Sequence, residues 1–580
     1  MRAALPLVLL TLAALALRLL GIDHCVPHYK EADSNIALHA ELIRAGVAEP
    51  DPQHNDAQYP ILLAGLLSLV PSPQAAPGPE ASLDAHLAAA SRVYVETRIE
   101  MALLGVLTIP LTYLLARRFA GRGWSFFASA LIAASFLYQF FAQQARPHVA
   151  ATSVFLLAVL AAMRLAREPG WKSYALASLA AVAAIGTLQS GLAVLVPFFV
   201  AMLLVPLRVV HEPAGKLARR VLAAPVLVAA VAAVSFATLY PYLYFEGRES
   251  GYAWPKVEDG ALVWGDHTLR PGDWKGVGFL TIGRTLADYE PVLLALLVVA
   301  LTALFTRKRS PHFPIARWTD FWVAMSFALP YLVAIGLFRN TFERFLLPLL
   351  PFGAAFAAWG LEQWSARFGG RAGRAIAVLA VLWLALPGLA CTRLAWLRSR
   401  DDTLELAAKW LAAQPDAAAT PIHLTPFFDL PLARSKESLQ PPDKRPAAIF
   451  SRWSIYQKRR GVDALPPPRF DLRYLVPRPD LGFSWPKIEE NPQGYLRALG
   501  PGYFVLDMSR QPPNAGLDRL RAAARELGEL VHRSAPEMDG PTSEFGYPFE
   551  DELVPDWPNP LTRALRIDAV GPVVEVYRVR

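Results

Sequence analysis

The feature that most constrains this chain is a series of eleven apolar runs joined by short loops whose basic content alternates. The runs fall at about 3–22, 96–116, 123–143, 147–165, 172–188, 190–207, 221–244, 286–305, 318–338, 345–362 and 375–391. Each is near the ~20 residues a helix needs to cross a hydrocarbon core of ~30 Å. In that core every backbone N–H and C=O must be satisfied within the segment, so such runs are expected to be helices. Of the 580 residues, 54% are hydrophobic and only 18% charged, against roughly 25% charged in ordinary soluble proteins. The longest ambiguous run, 172–207, is split at Thr187-Leu188-Gln189-Ser190.

The loops test this reading. One set carries Arg117, Arg118 and Arg122; Arg164, Arg167 and Lys172; Arg208, Lys216, Arg219 and Arg220; Arg307, Lys308, Arg309 and Arg317; Arg367, Arg371 and Arg374. The short intervening loops hold Arg146 in one, no basic residue at 189, and Arg339 with Arg344 in another. The positive-inside rule puts the first set in the cytoplasm. The N-terminus is then cytoplasmic, and the loop after the first run and the C-terminal region are outside. No small-x-small cleavage site follows the first run before His24, so that run reads as a retained span rather than a signal peptide. The net charge of +8 sits largely in these loops. No basic block interleaved with aromatics suggests a nucleic-acid partner. Cys25 and Cys391 are too few for a disulfide framework; one disulfide or two free thiols fits their placing.

After about residue 397 the character changes, with frequent charges and prolines and no 18-residue apolar run. Residues 403–413 and 517–532 read as helices. Residues 421–425, 503–507 and 573–579 read as strands, with irregular sequence at 430–500. The expectation is an all-α polytopic membrane bundle of about eleven transmembrane helices over residues 1–397, with outer loops at 23–95 and 245–285. An extracytoplasmic α/β domain is expected over 398–580. The Trp and Tyr residues of the second outer loop read as an interfacial belt.

Polar chemistry gathers behind the first span, in CVPHYKEADSNIALHAELIRAGVAEPDPQHNDAQYP (25–60). Ser34 to Ala45 reads as a short amphipathic helix, with Ser34 as N-cap and Gly46 as stop. Residues 59–70 are apolar but too short to cross, so they read as re-entrant or interfacial.

Several local patterns in this order resemble the polytopic GT-C glycosyltransferases, in particular relatives of the protein O-mannosyltransferases and of the aminoarabinose transferases that modify lipid A. The patterns are the acidic cluster KEAD (30–33) after the first span, and the DPxH…YP run (Asp51, Pro52, His54, Tyr59, Pro60). They continue with TRIEMALLGVLTIPLTYLLARRFAG (97–121), RNTFERFLLPLLPF (339–352) and the closing GPVVEVYRV (571–579). Two spellings depart from the family. Its adjacent Asp-Glu pair is here Lys30-Glu31-Ala32-Asp33, and its Arg-Pro-Asp after the third span is here Arg146-Pro147-His148.

The resemblance implies transfer of a sugar from a polyprenyl-phosphate carrier to an acceptor protein, lipid or glycan on the outer face. Such a reaction needs a carboxylate within reach of the acceptor proton, and Glu31 or Asp33 would be that base. It needs cations on the leaving lipid phosphate; the substrate-binding candidates are Lys30, His54, Tyr59, Arg98, Arg146, His148, Arg339 and Arg344. Each has a plainer reading: Asp33 as a helix cap, Lys30 as an ion-pair partner, Arg98 and Arg344 as interfacial arginines, and His148 as a satisfied polar residue. Glu96 and Glu100 flank Arg98 and would neutralise it. No cofactor is expected and no metal motif is present, although Glu31, Asp33 and His148 are side-chain types that hold a divalent ion. No phosphate-binding glycine fingerprint suggests a nucleotide sugar. The alternatives are a transporter or flippase for a lipid-linked or anionic substrate, and a non-catalytic GT-C relative.

Overall fold

The computed structural model describes residues 4–29, 35–46, 60–71, 77–204, 214–240, 256–264, 267–306, 315–426, 428–440, 451–508, 515–537 and 560–580. The first span is α1 (Ala4–Leu19). The region after α1 holds α2 (Asn35–Arg44) and α3 (Leu62–Ser68), the short helix and the apolar non-crossing segment expected from sequence. Then follow α4 (Leu83–Val106), α5 (Thr108–Ala116), α6 (Arg122–Ala133), α7 (Phe136–Ala142), α8 (His148–Arg167), α9 (Trp171–Thr187), α10 (Leu195–Leu204) and α11 (Ala214–Leu239). The second outer region is more ordered than expected. It contains a three-stranded antiparallel sheet of β1 (Lys256–Glu258), β2 (Ala261–Trp264) and β3 (His267–Leu269), and then α12 (Val277–Tyr289). The bundle closes with α13 (Pro291–Thr306), α14 (Ile315–Leu337), α15 (Leu350–Phe368), α16 (Gly370–Trp383) and α17 (Ala385–Arg398).

Among the described residues each of the eleven apolar runs falls mostly on helix, and the split at 187–190 is followed by a 3-10 turn, Gln189–Val194. By length and apolarity, however, five helical stretches among the described residues qualify as crossing, or seven if each of two bent pairs is one span. The bends have a shared cause. Helices α6 and α7 meet at 49°, and α12 and α13 at 114°. Glu290, in the second bend, accepts hydrogen bonds from Ser135 Oγ (2.5 Å) and Leu137 N (2.9 Å) in the first. A buried carboxylate thus satisfies the open N-terminus of α7 that breaking the helix created.

Helix α8 is the most deeply enclosed span, packed on α4, α9, α10 and α14. Its approach to α4 needs Gly105, where an added Cβ would lie 2.2 Å from Val149 Cγ1. Small residues at such crossings let backbones come close when no water-driven force operates between helices.

The last part of the chain opens with α18 (Thr403–Ala412) and carries a five-stranded sheet in the order β5-β4-β6-β8-β7. Here β4 (Ile422–Leu424) runs parallel to β5 (Leu472–Tyr474) and to β6 (Gly502–Asp507). Strand β8 (Val574–Val579) is antiparallel to β6 and to β7 (Gly528–Ser534). The three expected strands are β4, β6 and β8. The expected helix over 517–532 is corrected: α20 (Ala515–Leu527) stops at Gly528, and the remainder is edge strand β7, preceded in the chain by α19 (Arg452–Arg460) within the stretch read as irregular. Helical spacing at Leu520, Ala524 and Leu527 continues by chance to Val531. The unpaired edge of β8 recruits this segment instead, with Gly528 opposite Val579.

Candidate active site

The route out of the first span is fixed residue by residue. Gly21 has φ +71°, and a Cβ there would sit 2.3 Å from the Arg398 carbonyl carbon, so the chain turns against the end of α17. Gln139 Nε2 donates to Leu17 O (3.0 Å), and Gln143 Nε2 donates to Leu20 O (2.5 Å). Arg98 is fully buried, and its Nη1 donates to Ile22 O (2.9 Å) and His24 O (2.8 Å). Arg398, also buried, donates to Phe140 O (3.1 Å) and Gln143 Oε1 (2.9 Å).

The next residues are held by the C-terminal part of the chain. Trp453 N donates to Pro27 O (3.1 Å) and Asp429 N to His28 O (2.9 Å), and Tyr29 forms an antiparallel bridge with Phe428. His28 Nε2 lies 2.8 Å from Asp402 Oδ2, both side chains about 1% exposed. Asp402 Oδ1 accepts from Leu404 N and Glu405 N (2.8 Å each), while Glu405 Oε2 accepts from Asp402 N (2.9 Å). This capping box starts α18. Burial opposes the His28 charge, but Asp402 and then Glu405 outweigh it and the imidazole stands above its ordinary value. Burial likewise opposes the Asp402 charge, and His28 with the N–H groups of Glu405 and Leu404 holds the carboxyl below its ordinary value. Burial, then the Asp402 charge, pushes Glu405 up to about 7.

His28, Asp402 and Glu405 are the one set of three metal-ligand types found together among the described residues. His28 Nε2, Asp402 and Glu405 bond one another and the α18 N-terminus, while His28 Nδ1 is buried with no hydrogen-bond partner among the described residues; the set ties two parts of the chain together.

On the far side of the acidic cluster, α2 is pinned as well. Arg44 Nη1 donates to Glu96 Oε2 (2.9 Å), and Arg44 Nη2 donates to Leu67 O (2.8 Å) and Val70 O (3.1 Å). Arg452 Nη2 reaches Glu41 Oε1 at 2.5 Å. Lys30, Glu31 and Asp33 lie between these two anchored ends, and they, with His54 and Tyr59, fall outside the described residues.

Of the remaining expected residues, three come together. Arg146 is 2% and His148 4% exposed. The His148 ring stacks on Phe345 with centroids 5.8 Å apart and planes at 22°. The Arg344 guanidinium carbon lies 4.3 Å from the Phe342 centroid and 5.3 Å from that of Phe345. The charges of Arg344 and Arg146 both reach His148. On the same loop as Arg146, the Gln144 side-chain amide is buried with no hydrogen-bond partner among the described residues, and so is His148 Nδ1. Two arginines beside a histidine and two phenylalanines, with unpartnered buried polar atoms nearby in the chain, are groups suited to a phosphate. Arg98 Nη1 is used on the carbonyls after α1. Arg339 is exposed, with its N–H on Asp273 O (2.7 Å).

Sequence reasoning assigned Glu96 and Glu100 to neutralising Arg98. Instead Glu96 pairs with Arg44. Both carboxylate oxygens of Glu100 are buried with no hydrogen-bond partner among the described residues. One turn to either side, Glu96 and Leu104 meet α2 and the cluster of Ile36, Ala40 and Leu63. Residues four apart share a helix face, so Glu100 faces the underside of α2 and α3. Its only sequence signal was position. Both cysteines are free thiols.

No protein-family model matches the chain, and no curated protein does. Among solved structures, the chain is similar to ArnT from Cupriavidus metallidurans in the apo state (TM-score 0.41, 14% identity, covering 92% of this chain and 97% of that one). It is similar to the oligosaccharyltransferase AglB from Archaeoglobus fulgidus in complex with an inhibitory peptide and a dolichol-phosphate (TM-score 0.41, 13% identity, 91% and 72%). It is also similar to the arabinofuranosyltransferase AftD from Mycobacteria (TM-score 0.36, 15% identity, 98% and 40%). At these scores the likeness carries no step of the chemistry. The resemblance to the GT-C glycosyltransferases rests on the sequence patterns quoted above.

Proposed function

We propose that this chain is an integral-membrane glycosyltransferase that moves a sugar from a polyprenyl-phosphate donor to an acceptor protein, lipid or glycan outside the cytoplasm. The observation that carries the reading is the meeting of Arg146, His148 and Arg344. Each was singled out separately from sequence, and they come from two segments far apart in the chain.

The acceptor oxygen or nitrogen attacks the anomeric carbon and forms the new glycosidic bond. The bond from that carbon to the phosphate oxygen breaks, and the lipid phosphate leaves with the electron pair. Arg146, Arg344 and Lys30 stabilise its growing charge, with His148 and Gln144 as neutral hydrogen-bonding groups. The acceptor proton passes to a carboxylate of the first outer loop, Glu31 or Asp33. Glu100, buried beneath α2 and α3, is a third candidate acid. His54 and Tyr59 orient the substrate, and Arg339 meets it only at the rim. The reaction as written needs no metal.

Transfer of radiolabelled sugar from defined polyprenyl-phosphate donors in membranes tests this. Arg344→Met should cost about 10²–10³-fold in rate, the usual loss on removing a charge-stabilising donor. Glu31→Gln or Asp33→Asn should abolish transfer. Full activity in both acid variants would remove this loop as the base, and no transfer by the unaltered protein with any donor would favour the non-catalytic reading. A transporter would need ionisable groups along a path at mid-depth. Two buried acids of the bundle are instead engaged in structure: Asp320 binds Arg167, and Glu290 caps α7.

A further inference from the structure

At the end of the bundle that carries Arg117, Arg118 and Arg122, helices α5, α13, α14 and α15 leave a groove of about 260 Å³. Its walls are almost wholly apolar and include Leu115, Phe119, Phe321, Met325, Phe352 and Trp359. From Trp318 to Met325 the groove follows two turns of α14, about 10 Å at 1.5 Å per residue. It opens sideways, where Leu304, Trp318 and Phe321 remain 46%, 48% and 37% exposed.

A cation stands next to the groove in the chain. Arg118 precedes the groove residue Phe119 and is half-buried, and no described group hydrogen-bonds to its guanidinium. The charged groups around it are Arg167, Asp320 and Glu168. Asp320 is fully buried and committed to Arg167, whose Nε donates to Oδ1 at 2.8 Å and whose Nη2 binds Oδ2. Glu168 is 71% exposed and lies 3.6 Å from Arg164. Asp320 is therefore engaged by Arg167, and Arg118, next in the chain to the groove residue Phe119, is a cation beside an apolar slot.

We propose that this groove seats one acyl chain of an anionic phospholipid, with the lipid phosphate on Arg118. The slot supplies the apolar surface a chain needs, and the cation favours an anionic headgroup over a zwitterionic one. Neither the catalytic reading nor the orientation of the bundle enters; the proposal requires only that this end of the bundle meets a leaflet.

The test is native mass spectrometry of the detergent-purified full chain, delipidated and then titrated with phosphatidylglycerol or with phosphatidylcholine of the same chains. The unaltered protein should retain one phosphatidylglycerol in preference to phosphatidylcholine. Arg118→Gln should narrow that preference by about fivefold, the worth of one basic side chain at an anionic lipid surface. Met325→Trp, which fills the slot, should lose retention of both lipids, and Ala355→Phe serves the same purpose should the first variant not fold. Equal retention of the two lipids by the unaltered protein would overturn the proposal. So would unchanged retention in the filled variants, the result expected if the chain segment 307–314 occupies the groove instead.

Discussion

Asp402 holds two structures with one carboxylate, and this permits a quantitative test. Its Oδ1 accepts two backbone N–H groups of α18, and its Oδ2 binds His28 on the loop leaving α1. Loss of an N-cap costs about 1 kcal/mol, and loss of a hydrogen bond to a charged group about 1.5–3 kcal/mol. Asp402→Ala removes both and should weaken the clamp by about 3 kcal/mol. Asp402→Asn keeps the cap and a neutral bond to His28, so it should cost about 1 kcal/mol. Cys25 offers a local readout, being 1% exposed and inside the clamped segment. In a Cys391→Ser background, the rate at which a maleimide labels Cys25 in the folded protein reports how often the segment opens. Asp402→Ala should raise that rate about a hundredfold, since each 1.4 kcal/mol is tenfold, and Asp402→Asn about fivefold. His28→Ala combined with Asp402→Ala should fall short of the sum of the single effects by about 0.5–3 kcal/mol, as contacting residues do. Labelling that is unchanged in Asp402→Ala, or strictly additive effects in the double variant, would refute the clamp.

The same cluster makes stability depend on pH. Glu405 stands at about 7 against an ordinary 4.5, so the folded state holds its proton between those values and stability falls as pH rises across them. His28 is raised above its ordinary 6.5, so its contribution is complete below 6.5 and is lost as pH climbs through the folded value. Asp402 is depressed below 3.8, so its contribution is present above 3.8 and lost on acidification through the folded value. The unfolding temperature should therefore decline from about pH 4.5 to beyond 7, and the decline should flatten in Glu405→Gln; parallel profiles for the two proteins would count against this origin. Gly21→Ala should destabilise by about 3 kcal/mol, combining left-handed strain with overpacking against Arg398. Gly46→Ala is the control: it has a similar φ of +69° but open space around it, and should cost only about 1–2 kcal/mol; equal losses measured by denaturant unfolding would show that the Arg398 contact does not matter.

What could be read from sequence was what is local. Apolar runs of membrane length announced helices. Arg146, His148 and Arg344 stood in short recognisable spellings, so each could be picked out, though not their meeting. Arg98 stood in an equally plain spelling, yet it is consumed by the carbonyls of Ile22 and His24, which no spacing reveals. The His28–Asp402 contact joins residues 374 positions apart, and neither has a neighbour that signals it. The misread strand β7 shows the opposite failure. A helical period ran past Gly528 into residues that only the exposed edge of β8, more than forty positions later in the chain, could claim as a strand.

The clamp on residues 20–29 also sets an order of events during synthesis. The segment leading into the acidic cluster leaves the ribosome first, but its partners at Asp402, Asp429 and Trp453 come last. At 5–20 residues per second, the wait from His28 to Asp402 is about 20–75 s. A nascent chain that has passed Tyr29 lacks, for that time, the partners that hold Pro27, His28 and Tyr29. A ribosome-bound chain stalled before Asp402 should label rapidly at Cys25, and one stalled after Arg580 slowly.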